Sequence, residues 1–166
     1  FAGGAVVHVS SGAGALAAAI IFGRRLGYGK RPMEPHNIPF VILGASLLWF
    51  GWFGFNAGSA LVSGGSATNA FVVTNAAAAM AALTWGALDW SINGKVSAVG
   101  LATGAVAGLA TITPASGFVG PMPALVIGLG AGTFCYFAVQ LAKKVRLDDS
   151  LDVFAVHGVG GTWGML

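Results

Sequence analysis

Residues 38–62 have the sequence IPFVILGASLLWFGWFGFNAGSALV, which contains no Asp, Glu, Lys or Arg. A helix needs about 20 mostly apolar residues to cross the hydrocarbon core of a bilayer, so this segment is long enough to span a membrane. Charged residues make up only 8% of the chain and hydrophobic ones 56%, whereas soluble domains carry about 25% charged residues. The 27 glycines lie mostly in apolar runs, as in membrane helices whose backbones pack closely. The sequence therefore predicts an all-α, polytopic helical membrane protein.

Charged residues and turn residues divide the chain into six predicted spans. They cover about residues 2–22, 38–62, 70–88, 96–112, 122–142 and a sixth segment from 152. The stretch TPASGFVGPMP after the fourth span is expected to form a structured outer loop. Because the sequence opens and stops within apolar runs, we expect residues 1–166 to be one transmembrane domain taken from inside a longer protein.

The basic residues indicate the orientation of these spans. All eight Lys and Arg residues lie in the first, third and fifth connections, and the second and fourth connections contain none. Cytoplasmic loops are enriched in Lys and Arg, so this alternation places the three basic connections inside. The first span then runs from outside to inside, and the sixth runs from inside to outside.

Composition also excludes several classes of function. The single cysteine, Cys135, excludes a disulfide framework or a cysteine-based metal site within the chain. The net charge of +3 is accounted for by the inner loops, so no nucleic-acid partner is expected. We also expect no cofactor.

Two histidines interrupt apolar segments of opposite direction. His8 lies in FAGGAVVHVSSG of the first span and His157 in VFAVHGVGG of the sixth. Ionisable residues at membrane depth are costly and usually line a pathway, although each could equally be a core residue bonded to a neighbouring helix. Two neutral imidazoles can pass a proton along a chain while staying uncharged. Counting 1.5 Å per residue in a core about 30 Å thick leaves about 12 Å between their depths. Spacing alone therefore does not bring the two rings together.

Aromatic residues cluster at the outward end of the second span, in LLWFGWFGFNAGSAL (residues 47–61). One interpretation is an aromatic belt at the membrane interface. The other is an entrance where ring faces attract a small cation. Phe55 and Ser59 lie four positions apart and so share a helix face, which supplies both a ring and a hydroxyl oxygen.

The acidic residues near the inner boundary are expected to have structural roles. Asp148, Asp149 and Asp152 precede the sixth span, where carboxylates stabilise and cap a helix N-terminus. Asp89, at the inner end of the third span, is expected to be a solvated boundary charge.

Four stretches together resemble the ammonium transporter (Amt/MEP/Rh) family on its bacterial and archaeal side. They are FAGGAVVHVSSG, PHNIPFVILGASLLWFGWFGFNAGSA, TPASGFVGP and LDVFAVHGVGG, and they occur in the family's order along the whole chain. The resemblance implies that residues 1–166 correspond to helices five to ten of an eleven-helix fold built from an inverted repeat, with the tenth cut short.

The same resemblance implies roles for five residues. His8 and His157 resemble the family's twin histidines, which are hydrogen-bonded to each other in the pore. Phe55 resembles one of two stacked phenylalanines at the outer gate, Ser59 the hydroxyl of the ammonium recruitment site, and Trp52 a residue of the pore wall. The implied substrates are ammonium or ammonia and methylammonium. The implied assembly is a homotrimer whose cytoplasmic face binds a PII-type regulatory protein.

The function expected from this resemblance is transport of ammonium or ammonia through a hydrophobic pore after recruitment and deprotonation, and not enzymatic catalysis. The main alternative is an Amt-like sensor that reports ammonium to a signalling domain. A pore of the Rh type, or one for another small neutral molecule, is a further alternative. An intramembrane serine hydrolase would need Ser46 or Ser59 to pair with one of the membrane histidines.

Overall fold

The computed structural model describes residues 1–166 and is entirely helical. Helix α1 covers Gly4–Phe22, α2 Ile38–Gly58, α3 Gly65–Asn93, α4 Ala98–Ile112 and α5 Pro121–Lys144. The sixth segment consists of Phe154–Val159 followed by Gly160–Met165, and we name the two together α6. Of these, α1, α2, α3 and α5 are long and apolar enough to cross a membrane. The six predicted spans therefore correspond to six helical segments.

The largest differences from the predicted bounds concern the second and third spans. Helix α2 ends at Gly58 and not at 62, because the next residues turn, with Leu61 in a left-handed conformation at φ 59°. Helix α3 extends from Gly65 to Asn93, beyond the predicted 70–88. Its polar C-terminal end is stabilised by packing, since buried Asp89 belongs to its last turns. Hydropathy marks the apolar centre of a helix and not its polar ends.

Helix α3 packs against both α4 and α5 and forms the centre of the bundle. Small residues allow this close approach: a side-chain carbon at Gly108 or Gly128 would meet the backbone of Ala77. Helices α1 and α6 pack against each other in opposite directions, since Gly12 meets Gly158 and His8 meets Gly161. Helix α6 also contacts α4 and α5. The antiparallel pairing of α1 with α6 is what brings the two intramembrane histidines into one region.

Three acidic residues differ from the sequence expectation. Asp89 is buried and accepts hydrogen bonds from the Ser97 backbone N–H and the Asn93 side chain, both at 3.3 Å. It therefore stabilises the α3–α4 turn and is not a solvated boundary charge. Of the three predicted capping carboxylates, Asp149 accepts a hydrogen bond from the Phe154 N–H at 2.7 Å. Asp148 instead forms an ion pair, and the Asp152 side chain makes no capping hydrogen bond.

That ion pair joins the first and fifth connections. The Arg25 side chain donates to both carboxylate oxygens of Asp148, at 2.6–3.0 Å, and the Arg25 backbone N–H donates at 2.7 Å. The Asp148 side chain is 1% exposed. These hydrogen bonds from Arg25 hold the pKa of Asp148 below its usual value, because they favour the charged carboxylate. The two inner loops are thus attached to each other beneath the α1–α6 pair.

Asp148→Asn is expected to lower the Tm at neutral pH, because it removes the charge that Arg25 pairs with. Since the folded pKa of Asp148 is depressed, its contribution is present above its unfolded pKa of about 3.9 and is lost as the pH falls through the folded pKa. The Tm difference between the natural protein and the variant should therefore be large at pH 7 and shrink in acid. The exposed Glu34→Gln is the control, with the same change in charge. A difference that stays constant from pH 7 to pH 3 would contradict this account.

Candidate functional site

The two intramembrane histidines are in direct contact. Nδ1 of His8 lies 3.2 Å from Nδ1 of His157, and their ring centroids are 5.1 Å apart. His8 is buried and His157 is half-buried. The separation of about 12 Å expected from counting residues in a core about 30 Å thick is not observed. That count treated each span as a straight rod that starts at the membrane edge, whereas α1 and α6 meet closely beside the histidines.

Glycines make this close approach possible. A side-chain carbon at Gly12 would clash with the backbone of Gly158, and one at Gly161 would lie 3.1 Å from both the Gly4 carbonyl oxygen and the His8 Cβ. Because neither Gly12 nor Gly158 has a side chain, the two backbones touch one turn from His8 and beside His157. The contact between the imidazoles therefore depends on glycines, which have no side-chain functional group.

The shared hydrogen bond makes the two rings chemically unequal. Only one Nδ1 can carry the hydrogen, because two lone pairs or two N–H groups facing each other would repel. In the neutral pair, the ring that donates has an unprotonated Nε2, and the ring that accepts has a protonated one. The pair thus offers one hydrogen-bond acceptor and one donor at its two Nε2 atoms. Nε2 of His8 is buried and has no hydrogen-bond partner in the protein.

Trp52 forms a wall beside the histidine pair. Its ring stacks on His8 with centroids 5.3 Å apart and an interplanar angle of 21°, and it also lies 6.4 Å from His157. The indole Nε1–H donates to Thr113 Oγ1 at 2.9 Å, and Thr113 in turn donates to the Leu109 carbonyl at 2.8 Å. Thr113 is fully buried. The orientation of the indole ring is therefore fixed by a hydrogen bond to the end of α4.

Thr113→Val should leave the buried Trp52 N–H without an acceptor while preserving the shape of the side chain. An unsatisfied buried donor costs about 1–3 kcal/mol, so we expect lower stability and a tilted indole ring. The measurement is Tm together with tryptophan fluorescence. Thr133→Val is the matched control, because the Thr133 hydroxyl bonds only to its own helix, at Leu129. Equal effects of the two substitutions would show that the Trp52 hydrogen bond is unimportant.

Phe55 and Ser59 lie outward of the histidines along α2. The Phe55 ring is 5.8 Å from His8 and 5.7 Å from Trp52, and it is half-buried. The Ser59 hydroxyl donates to the Phe55 carbonyl at 2.7 Å, so its oxygen lone pairs face away from that bond and can accept from a ligand. The structure brings Phe55, Trp52 and both histidines into one cluster, with Ser59 just beyond the end of α2.

Two apolar cavities border the histidine pair, one at each imidazole. The first, of about 330 Å³, contains His8, Trp52 and Phe55. The second, of about 290 Å³, contains His157 and reaches Phe40 at the inner end of α2. Leu48 lines both cavities. A larger cavity of about 1090 Å³ elsewhere has no titratable side chain in its lining, so size alone does not identify the site. Each imidazole therefore borders its own apolar space.

The two serines considered as nucleophiles are not paired with a histidine. The Ser46 hydroxyl donates to the Ile42 carbonyl at 2.9 Å, and Ser59 donates to Phe55. Nδ1 of each histidine is occupied by the other histidine. The geometry lacks the serine–histidine contact that a hydrolase requires.

The fold and this site define a multi-pass helical membrane protein with a buried polar pair between apolar cavities. Residues 1–166 match the Ammonium Transporter Family along their whole length. The chain belongs to the ammonium transporter family, whose members are membrane transport proteins and not enzymes.

Individual relatives agree with this assignment. The chain is 54% identical over 164 residues to ammonium transporter Amt1 of Archaeoglobus fulgidus, covering 99% of this chain and 42% of that protein. It is 49% identical to the ammonium transporter of Bacillus subtilis, covering 99% and 40%. The chain thus spans about two-fifths of the length of these relatives.

Solved structures show the same fold. Saccharomyces cerevisiae Mep2 superimposes with a TM-score of 0.92 at 44% identity, covering 99% of this chain and 38% of that one. A protein described as a sensor Amt protein superimposes with a TM-score of 0.94 at 38% identity, covering 99% and 42%. The fold therefore occurs both in a Mep2 protein and in a protein described as a sensor.

Proposed function

We propose that the protein carries ammonium nitrogen across the membrane through a passage that runs along His8 and His157. The observation that supports this most directly is the shared hydrogen bond of the two imidazoles between two apolar cavities. Family membership supports the choice of substrate, because the relatives are named ammonium transporters. Methylammonium, which differs by one methyl group, is proposed as a second substrate.

Recruitment would occur at the outer end of α2. The Phe55 ring attracts a small cation through its face, and the Ser59 oxygen can accept a hydrogen bond from an N–H group. Ammonium has four such donors and a full positive charge. These contacts compensate only part of the free energy needed to remove water from ammonium. Passage of the bare cation through the apolar cavities would therefore cost a large free energy.

Deprotonation of ammonium removes this free-energy barrier. Neutral ammonia does not have the large desolvation free energy of the cation, and it both donates and accepts hydrogen bonds. The two Nε2 atoms of the histidine pair offer one acceptor and one donor, so ammonia can bond to each as it passes. When the unprotonated Nε2 takes up a proton, the shared hydrogen moves to the other Nδ1 and the Nε2 of that second ring releases its proton, so the roles reverse and one proton has passed along a pair that is neutral before and after. Trp52 keeps the His8 ring in place by stacking against it.

Assembly and regulation are part of the same proposal. We propose a homotrimer with one passage in each subunit, and a cytoplasmic face that binds a PII-type regulatory protein. We also propose that α1 to α6 correspond to helices five to ten of an eleven-helix inverted-repeat fold. The antiparallel contact of α1 with α6, five helices apart, supports this correspondence.

The test is transport by the natural protein reconstituted in liposomes. An ammonium pulse on a solid-supported membrane measures transported charge, and an internal pH dye detects ammonia that enters without charge. We expect an ammonium-dependent signal in at least one assay that exceeds the background entry of ammonia into protein-free liposomes, with no response to sodium. A current would show that a proton crosses together with each ammonia, and a pH change without current would show that ammonia crosses alone.

A second candidate function is an ammonium sensor, favoured by the likeness to the protein described as a sensor. In that case correctly assembled protein would bind ammonium but give neither a current nor an internal pH change above that of protein-free liposomes. That outcome would contradict the transport proposal.

A further inference from the structure

Both histidines lie in widened helical turns. Residues Gly4–Val9, which include His8, form a π-helical turn, and so do residues Phe154–Val159, which include His157. Each turn follows a left-handed residue five positions before its histidine, namely Gly3 at φ 119° and Asp152 at φ 53°. Well under 1% of residues adopt π-helical conformation, and such turns occur frequently at functional sites. The presence of one π-helical turn at each of the two contacting histidines indicates that both turns have the same role.

The first wide turn sets the rotation of His8 relative to the start of α1. His8 and Gly12 face α6, where they contact Gly161 and Gly158, whereas a side-chain carbon at Gly4 would point at Pro114 and Gly4 meets α6 only through its carbonyl oxygen. A wide turn absorbs one additional residue, which is worth about 100° of rotation in a regular α-helix. The turn therefore lets His8 face α6 while Gly4 packs against Pro114.

The wide turn changes the backbone hydrogen bonds, and a serine compensates for the change. The Ser10 backbone N–H donates to the carbonyls of Ala5 and Val7. It does not donate to the Val6 carbonyl, which would be its acceptor in a regular α-helix. The Ser10 hydroxyl donates to the Val6 carbonyl at 2.8 Å, with the Val7 carbonyl as a second acceptor at 3.1 Å. Ser10 thus restores the bond that the wide turn removes from the turn containing His8.

We propose that the paired wide turns are a positioning device that sets the two imidazoles at hydrogen-bonding distance, and that Ser10 is a positioning residue that stabilises the turn at His8. The consequence for transport rests on the function proposed above. The alignment of the histidines can be measured independently of it. Ser10 touches neither imidazole through its hydroxyl and acts through the backbone.

The decisive variant is deletion of Val6, which removes the additional residue and lets the turn become α-helical. In the natural protein, ¹⁵N-labelled histidine should show through-bond coupling between the two Nδ1 atoms in solid-state NMR. We expect the deletion to abolish this coupling and to lower ammonium flux at least tenfold, while Val6→Ala, at an exposed side chain, changes neither. Retention of the coupling and of flux within twofold in the deletion variant would overturn the proposal.

The serine series tests the same proposal without altering the length of the chain. Ser10→Ala should weaken the Nδ1 coupling and lower the flux several-fold, and Ser10→Thr should restore both. Ser46→Ala is the matched control, because Ser46 makes the same hydroxyl-to-carbonyl bond in a regular helix. If Ser10→Ala behaves like Ser46→Ala in both measurements, Ser10 is not a positioning residue. If the natural protein shows the coupling but no flux, the positioning device stands and the transport proposal fails.

Discussion

Replacing His8 and His157 together by alanine is expected to lower ammonium flux about 100-fold, since it removes two hydrogen-bond partners worth about 1.4 kcal/mol each along an apolar passage. The cavities on either side would merge into one apolar space that offers nothing to a polar molecule. The measurement is the ammonium-evoked current together with the internal pH signal, in liposomes with equal amounts of assembled protein.

His36→Ala is the control for this prediction, because His36 is an exposed histidine of the first inner loop. It should transport like the natural protein. Each single histidine variant should fall between the two, since the remaining imidazole keeps one Nε2 but loses its Nδ1 partner. Full ammonium flux in the double variant, with unchanged selectivity against sodium, would remove the histidines from the transport path.

Gly12→Ala is expected to have the second-largest effect, although it adds a single carbon. That carbon would clash with the backbone of Gly158, which cannot rotate away as a side chain can. Overpacking of this kind costs about 1–3 kcal/mol, and relief requires α1 and α6 to separate. Separation would lengthen the 3.2 Å contact of His8 with His157. We therefore expect a lower Tm and a loss of flux in the same variant.

Gly14→Ala gives the opposite expectation two residues further along the same helix. No atom lies within 4 Å of the position where its side-chain carbon would stand, and replacing glycine by alanine in a helix stabilises by about 0.5–1 kcal/mol. The Tm should stay the same or rise, with normal flux. Similar losses in both variants would contradict this account, because the α1–α6 contact at Gly12 would then not be what distinguishes the two positions.

Much of the fold could be predicted because its determinants are local. The α4 bounds Ala98–Ile112 match the predicted 96–112, and α5, Pro121–Lys144, matches 122–142. A run of apolar residues is sufficient for this, since a membrane span needs only length and hydrophobicity. The failures were polar positions whose partners lie on other elements, such as buried Asp89 and the Arg25–Asp148 pair.

The candidate site was predicted less directly. The two histidines stood out because they interrupt apolar runs, but residue counting placed them at different depths, and only the family resemblance paired them. Thr113 was missed altogether as a partner of Trp52. A threonine in TPASG has no local feature that indicates a bond to an indole 61 positions earlier. The widened turns at both histidines were also missed, because no residue pattern distinguishes them from an α-helix.

The sequence by itself thus determined the helical membrane class and the six segments, since hydrophobic length acts within each segment, and loop charge predicts their orientation. Only the tertiary structure decided which atoms meet. The contact of His8 with His157 joins residues 149 positions apart, and it depends on how closely two glycine-bearing helices cross and on where a turn widens. Those quantities are set by packing between helices, in which a single missing side-chain carbon changes the distance that the chemistry requires.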